Sequence, residues 1–470
     1  MNNQLERMRL RNFQSSELVL FGPTHDFGLM DQRDRDYILR SNWKHFTKNM
    51  PDGSGFQEFL APVLGRGIFA VDGEEWSDHR KISSHLFAAN ALRQKMETVF
   101  VQHSQRLIEL LTRHRLNQVI DLQEVMQAFT FETICEIAFG CEPGALEAAL
   151  IHQEKIDFLV RFDRAQNLCF NRLVLPQVVW KLLRYLNVWY ERQLSEDSAE
   201  LRAYVLRIIQ ERKRKMQEES AAIAAARESD DKYGDILSMY MKAAQDSKKP
   251  YLAEDDYLQD VVLNFMVAGR DTTSSTLINL FRELSGRPEV VQKMLREMED
   301  VLKSPKNAGP KTHISWDHIK YLPYSNAVVN ETLRMYPPVP GDFRICTETC
   351  KLPSGITVPK GSRVTVLVTA IGRDPHLWEN PDEFIPERWL NAEDPSQPCK
   401  RIPDTLPVFW GGPRTCLGKD AARLEVLSVA HSLLSSGIRF QLLPDQDDKI
   451  KIGPVQFYEE GVKVKVERLT

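Results

Sequence analysis

Cys416 stands in the stretch Phe409-Trp-Gly-Gly412-Pro-Arg414-Thr-Cys416-Leu-Gly418, between a Gly/Pro loop and a helical run that begins at Lys419. Free backbone N–H groups and the positive end of a helix favour thiolate over thiol at such a position, so the pKa is expected to fall. A thiolate can act as a nucleophile or as a metal ligand, whereas a lone cysteine is most often a buried structural thiol. Gly412 and Gly418 leave room for a flat ring system beside the backbone. Arg414 can pair with an anion, and Phe409 can shield the sulfur.

Three further groups carry chemistry. In Ala268-Gly269-Arg270-Asp271-Thr272-Thr273, the residues Phe265, Ala268 or Gly269, Thr272 and Thr276 recur every three to four positions and share one helix face. A threonine hydroxyl there can bond an upstream carbonyl and open the helix locally, and Asp271 beside it offers a carboxyl for moving protons. Taken alone, such residues are more often surface and core. Glu331-Thr-Leu-Arg334 is an i,i+3 ion pair, worth only a few tenths of a kcal/mol if exposed. Trp76-Ser-Asp-His-Arg80 places an indole and a guanidinium on one face, suited to an anion or simply to packing.

Together these residues resemble the cytochrome P450 family, with all four signals in the expected order from about residue 16 to the carboxyl end. The resemblance implies haem b with an axial thiolate from Cys416. It gives Trp76, Arg80, Arg344 and Arg414 to the propionates, with Phe409, Gly412, Gly418, Ala268 and Gly269 around the ring. Thr272 and Asp271 become the oxygen-activation pair, and Glu331, Arg334 and Arg388 a structural network. Within the family, Leu64-Gly-Arg-Gly-Ile-Phe-Ala-Val-Asp-Gly-Glu74 with Trp76, Tyr336–Arg344, Leu352–Gly355 and Gly412–Lys419 are similar to the fatty-acid and alkane ω-hydroxylases. The implied reaction inserts one atom of O2 into an aliphatic C–H bond of a lipophilic substrate. Electrons would come from a separate NADPH–cytochrome P450 reductase, docked on His79, Arg80, Lys81, Lys400, Arg401, Lys419 and Arg423. Two other readings stand beside it: a reductase-independent haem-thiolate isomerase or dehydratase, and a haem-binding protein inactive through amino-terminal truncation.

Positioning such residues requires a mainly α architecture with minor β, expected as one large helical domain with small sheets over residues 1–470. Helical spacing runs over 33–48, 94–139, 155–215 and from Glu254 to about Leu280, and again up to Tyr336, where Pro337, Pro338 and Pro340 stop it. Short strands are expected around Gly22-Pro23, a hairpin over Leu352–Gly361 and a strand over Arg363–Thr369. The 470 residues are 42% apolar and 27% charged, enough for a substantial core. Lys plus Arg number 61 against 65 Asp plus Glu, which gives no reason to expect nucleic acid as a partner. Seven cysteines without a dense framework fit a reducing compartment. The amino terminus is broken by charges and no run of ~20 apolar residues occurs. The expectation is thus a monomer lacking the anchor, proline-rich hinge and first helix of microsomal members. By resemblance it belongs on the cytoplasmic face of the endoplasmic reticulum; by sequence alone it could be soluble.

Overall fold

The computed structural model describes residues 15–18, 26–50, 54–226, 235–246, 249–304, 313–394, 406–451 and 453–469. Helices dominate and the sheets are small, as the periodicities predict. The organising element is a helix running through the middle of the main core. It is helical over Asp255–Met266, makes a π-turn over Val267–Asp271 and continues over Thr272–Ser285. Its first part is buried on nearly every side, and the polar Asp260 and Asn264 there are satisfied by Arg66, Arg202 and the Leu64 carbonyl. The helix Leu122–Phe139 packs along it, capped at its start by Asp121, which accepts from the Gln123 N–H at 2.9 Å. Gly140 ends it in the left-handed conformation at φ +65.

The larger sheet carries a second, smaller core, while the three-stranded sheet packs into the main one. A five-stranded sheet runs in the order Ser16–Leu18, Asp26–Leu29, Arg363–Val366, Asp342–Cys346, Phe46–Thr47, with one parallel pair, Asp26–Leu29 beside Arg363–Val366. A three-stranded antiparallel sheet joins Val119–Asp121, Lys463–Arg468 and Ile438–Leu442. The hairpin over 350–358 forms as expected, pairing Cys350–Lys351 with Thr357–Val358.

Several boundaries differ from the sequence reading. The 33–48 helix is only Gln32–Asp36 followed by a π-turn, and Phe46–Thr47 is a strand because its backbone pairs with Ile345 and Cys346. The 94–139 stretch is two helices, Asn90–Leu110 and Leu122–Phe139, separated by a strand that the carboxyl-terminal sheet recruits. The strand at 363 ends at Val366, and the chain turns helical over Val368–Gly372. The turn at Gly22-Pro23 lies outside the described residues.

Candidate functional site

The Cys416 loop is closed by its own backbone. The Cys416 N–H donates to the Phe409 carbonyl at 2.9 Å, and Gly418 caps the helix Lys419–Ser435. The sulfur is accessible from one side although protein surrounds it on the others. Burial pushes the thiol above its ordinary value, while the Gly418 N–H and Arg80 pull the other way. Desolvation thus opposes the lowering that the helix start favours. A metal ion bonded to the sulfur would remove that proton outright. Gly412 is also required by a contact the sequence does not show. It sits at φ +62, where a Cβ would lie 1.9 Å from the Leu39 carbonyl oxygen, so it lets the loop pack on residues 37–41. Gly418 meets only Phe87, at 3.9 Å from a notional Cβ.

Around this loop the chain gathers cations from three distant segments and the loop itself, with Lys48 and Arg344 buried and Arg80 and Arg414 part-buried. Arg80 donates to the Thr415 carbonyl at 2.6 Å, tying the helix Gly73–Ala88 to the cysteine loop. Arg414 donates to Asp72 at 2.5 Å and lies over the Trp76 ring at 4.5 Å. Arg344 donates to Asp342 at 2.7 Å and lies over Trp410 at 4.6 Å. Lys48, which the sequence did not single out, is buried 3.7 Å from Asp342 and over the Phe56 ring at 4.0 Å. Burial brings Lys48 down to about 7; burial and repulsion from Arg344 bring Arg414 to about 10. Asp342 is held at about 2, since Arg344 and Lys48 overcome its burial. Lys48, Arg80, Arg344 and Arg414 against Asp72 and Asp342 leave two positive charges over when Lys48 is protonated. The Arg414 Nε is buried without a partner. Such a cluster calls for a dianion, and the two propionates of haem match it in charge.

On the central helix the π-turn falls at Val267–Asp271, the stretch singled out for chemistry. Thr272 Oγ1 donates to the Ala268 carbonyl at 2.7 Å, and Thr276 Oγ1 to the Thr272 carbonyl at 2.9 Å. Phe265, Ala268, Gly269 and Thr272 keep partial exposure while most of their neighbours on this helix are buried, so one stripe of the helix faces open space. A Cβ on Gly269 would lie 2.6 Å from the Ile134 side chain. The neighbouring helix therefore demands glycine here in its own right.

The Asp271 carboxyl points away from that stripe. It accepts from Gln166 Nε2 at 3.0 Å and lies 3.0 Å from Arg270 Nη1. It also lines a polar cavity of about 290 Å³ with Lys155, Asp163, Gln166 and Asn167. Burial pushes Asp271 up to about 6, against the pull of Arg270. Burial likewise acts to raise Asp163, but Arg270 and Lys155 hold it below the usual carboxylate range. A carboxyl near 6 exchanges its proton readily at neutral pH.

Glu331 and Arg334 are wholly buried on the helix Pro323–Met335 and pair through two 2.8 Å bonds. Glu331 also accepts from Arg388 Nε at 3.0 Å, the Ile385 N–H at 2.8 Å and the Trp389 indole at 2.8 Å. Arg334 spends its remaining donors on the Gly372, Pro381 and Glu383 carbonyls.

The basic docking face does not assemble as the sequence suggests. His79 is 1% exposed, stacked on Tyr257, and burial lowers its pKa to about 4. Arg80 serves the cysteine loop, and Arg423 is held by Asn326 and Asn330. Lys81 and Lys419 remain exposed; Lys400 and Arg401 lie outside the described residues.

Comparison with known proteins agrees with this geometry. The chain matches the family model described as Cytochrome P450 over residues 21–465. It is similar to cytochrome P450 94A2 of Vicia sativa, 34% identical over 443 residues, which are 92% of this chain and 80% of the relative. Cytochrome P450 CYP94D108 of Paris polyphylla is 34% identical over 87% of this chain and 79% of its own length. Cytochrome P450 86B1 of Arabidopsis thaliana is 32% identical over 86% of this chain and 70% of its own. The family carries haem iron with thiolate ligation and uses O2, a lipophilic substrate and a redox partner. The chain belongs to the cytochrome P450 family and is a monooxygenase.

Proposed function

We propose that this protein hydroxylates a fatty acid, or an alkane, at or near its terminal methyl. In this reading Cys416 ligates the iron of haem b, and Lys48, Arg80, Arg344, Arg414 and Trp76 hold the propionates. The observation that carries it is the cationic cluster converging on the Cys416 loop, which needs a dianion beside a thiolate. When bound, haem supplies the oxidant, made from O2 and two electrons. Asp271, at the floor of a polar cavity, takes protons from solvent, and Thr272 places them on the Phe265–Ala268–Thr272 stripe. The electron donor is a separate NADPH–cytochrome P450 reductase, and the working unit is a monomer.

The preference for a chain end rests on the resemblance of 64–76, 336–355 and 412–419 to ω-hydroxylases, and the fixed geometry of the loop after Leu64 is compatible with it. A terminal C–H bond is stronger than an internal one, so terminal attack requires a slot that admits only the end of a chain. The loop after Leu64 is pinned to the central helix. Arg66 N–H donates to Asp260 at 2.8 Å, and Asn264 donates to the Leu64 carbonyl at 2.8 Å. Gly65 and Gly67 approach Asp260 and Asn264 so closely that a Cβ on either would overlap them. Phe56 lies against Phe343, their rings 5.5 Å apart. With a saturated fatty-acid series, affinity should rise about fourfold per added methylene, roughly 0.8 kcal/mol each, until the slot is full. Binding-induced spectral shifts measure it, and chromatographic product analysis should find hydroxyl at the terminal or penultimate carbon. Mainly mid-chain products, or turnover of sterols alone, would contradict the chain-end reading and leave the family untouched.

For location, we infer peripheral contact with the cytoplasmic face of the endoplasmic reticulum membrane. Among the described residues no helix is long and apolar enough to cross a membrane. The short helix Gln177–Leu186 nonetheless turns apolar side chains outward. Val178 is 79% exposed, Tyr185 86% and Trp189, just beyond it, 73%, with Leu182 and Leu186 also exposed. Lys181 and Arg184 are the only charges from 177 to 189. Aromatic and apolar groups among cations suit an anionic lipid surface. The protein should co-sediment with phosphatidylcholine vesicles containing phosphatidylserine, and a Val178→Asp, Leu182→Asp double variant should lose most of that binding. Equal binding by the variant would place the contact elsewhere.

A further inference from the structure

The π-turn in the central helix has three hydroxyls on its carbonyls: two, Thr272 and Ser274 (on the Asp271 carbonyl at 3.1 Å), belong to the central helix and one comes from outside it. Thr272 Oγ1 takes the Ala268 carbonyl from within. Thr130 Oγ1, from the middle of the Leu122–Phe139 helix, reaches the Arg270 carbonyl at 2.9 Å across the interface. Its alternative acceptor is the Met126 carbonyl one turn back in its own helix, at 3.0 Å. Both Thr130 and Arg270 are wholly buried, so no water competes for either group. A π-turn shifts the ladder by one residue and leaves carbonyls that need partners from outside it.

The contact is not isolated. One turn further along the same helix, Ile134 fills the space that Gly269 leaves, against the same π-turn. Between them Thr133 lies 2.6 Å from Glu425 on the helix Lys419–Ser435. That Thr133 hydroxyl donates to Glu425, with the Thr130 backbone carbonyl, 3.1 Å away, as its other acceptor. The Leu122–Phe139 helix therefore bridges the helix that follows Cys416 and the turn that carries Asp271 and Thr272.

We infer that Thr130 is a positioning residue for oxygen activation: its hydroxyl fixes the Arg270 carbonyl and with it the orientation of Asp271 and Thr272. This rests on the proposed proton-relay role of that pair. Thr130 touches neither substrate nor cofactor and acts through the shape of the turn. Misplacing a relay by a fraction of an ångström diverts electrons from product to peroxide without altering how substrate binds.

The test compares Thr130→Val, Thr130→Ser and Thr272→Ala holoproteins with wild type, using a separate reductase and a turned-over fatty acid. Thr130→Val keeps the side-chain shape and removes the hydroxyl; its reduced carbon-monoxide spectrum and Tm check that the fold is retained. Product per NADPH should drop roughly three- to tenfold in Thr130→Val, with a matching rise in peroxide and an unchanged KM. Thr130→Ser, which restores the hydroxyl, should return to within about twofold of wild type. If Thr130→Val does not yield holoprotein, Thr130→Ala gives the same readout with less demand on packing. Full coupling in the hydroxyl-free variant beside uncoupled Thr272→Ala overturns the positioning role. Full coupling in Thr272→Ala as well overturns the relay reading on which it stands.

Discussion

Glu331→Ala is expected to yield no soluble holoprotein. The wild-type carboxylate accepts five hydrogen bonds at full burial, two from Arg334 and one each from Arg388, the Ile385 N–H and the Trp389 indole. Truncation strands the Arg334 charge where its other partners are three backbone carbonyls, which can solvate but not neutralise it. Leaving one charge of a buried pair uncompensated costs about 3–5 kcal/mol. A domain's whole stability is about 5–15 kcal/mol, so little remains. The damage is also local, because Arg334 ties the helix Pro323–Met335 to the 372–383 segment and Arg388 ties the 385–389 turn to the same carboxylate. Arg334→Ala should behave alike, leaving Glu331 with Arg388 alone as its ionic partner. Haem-to-protein ratio after purification measures both; a normal ratio in either variant would show the network to be dispensable.

Asp271→Asn is expected to lower kcat by about 100-fold with haem content and KM preserved, the scale on which a positioned acid contributes. The amide keeps the side chain's volume and can still meet Gln166, but it cannot release and regain a proton. A carboxyl at about 6 can do so near neutrality, and the polar cavity beside it supplies water. Thr272→Ala should instead keep NADPH consumption and divert it to peroxide. Product and peroxide per NADPH separate the two. Unchanged rate and coupling in both variants would reduce the pair to packing residues.

The chemistry-bearing segments were legible because each is short. Phe409–Gly418, Ala268–Thr273 and Glu331–Arg334 put their reacting or pairing atoms within one turn of helix or one loop, where spacing alone constrains geometry. Even the opening of the central helix at Thr272 follows from a local rule, a threonine hydroxyl competing for an upstream carbonyl. What was hidden comes from tertiary convergence. Lys48 looks like any charge at the end of a helical run, until a strand at 46–47 carries it under Phe56 and beside Asp342. Gln166 and Asp163 meet Asp271 and Arg270 across more than 100 residues of chain. Gly412 and Gly269 show the same limit in reverse. Their need for glycine is plain in the sequence, but the neighbour that imposes it, Leu39 or Ile134, is not. The mistaken docking residue, His79, has an ordinary surface pattern around it, and only Tyr240 and Tyr257 closing over the ring bury it.

Every role proposed for this chain depends on Cys416 as the iron ligand, and the absorption of the reduced carbon-monoxide complex of the purified protein and its Cys416 variants decides it. Wild type should give the red-shifted band characteristic of a thiolate opposite carbon monoxide. Cys416→His should bind haem and lose that band, and Cys416→Ala should retain little haem. A thiolate-type band persisting in Cys416→Ala would rule Cys416 out as the ligand.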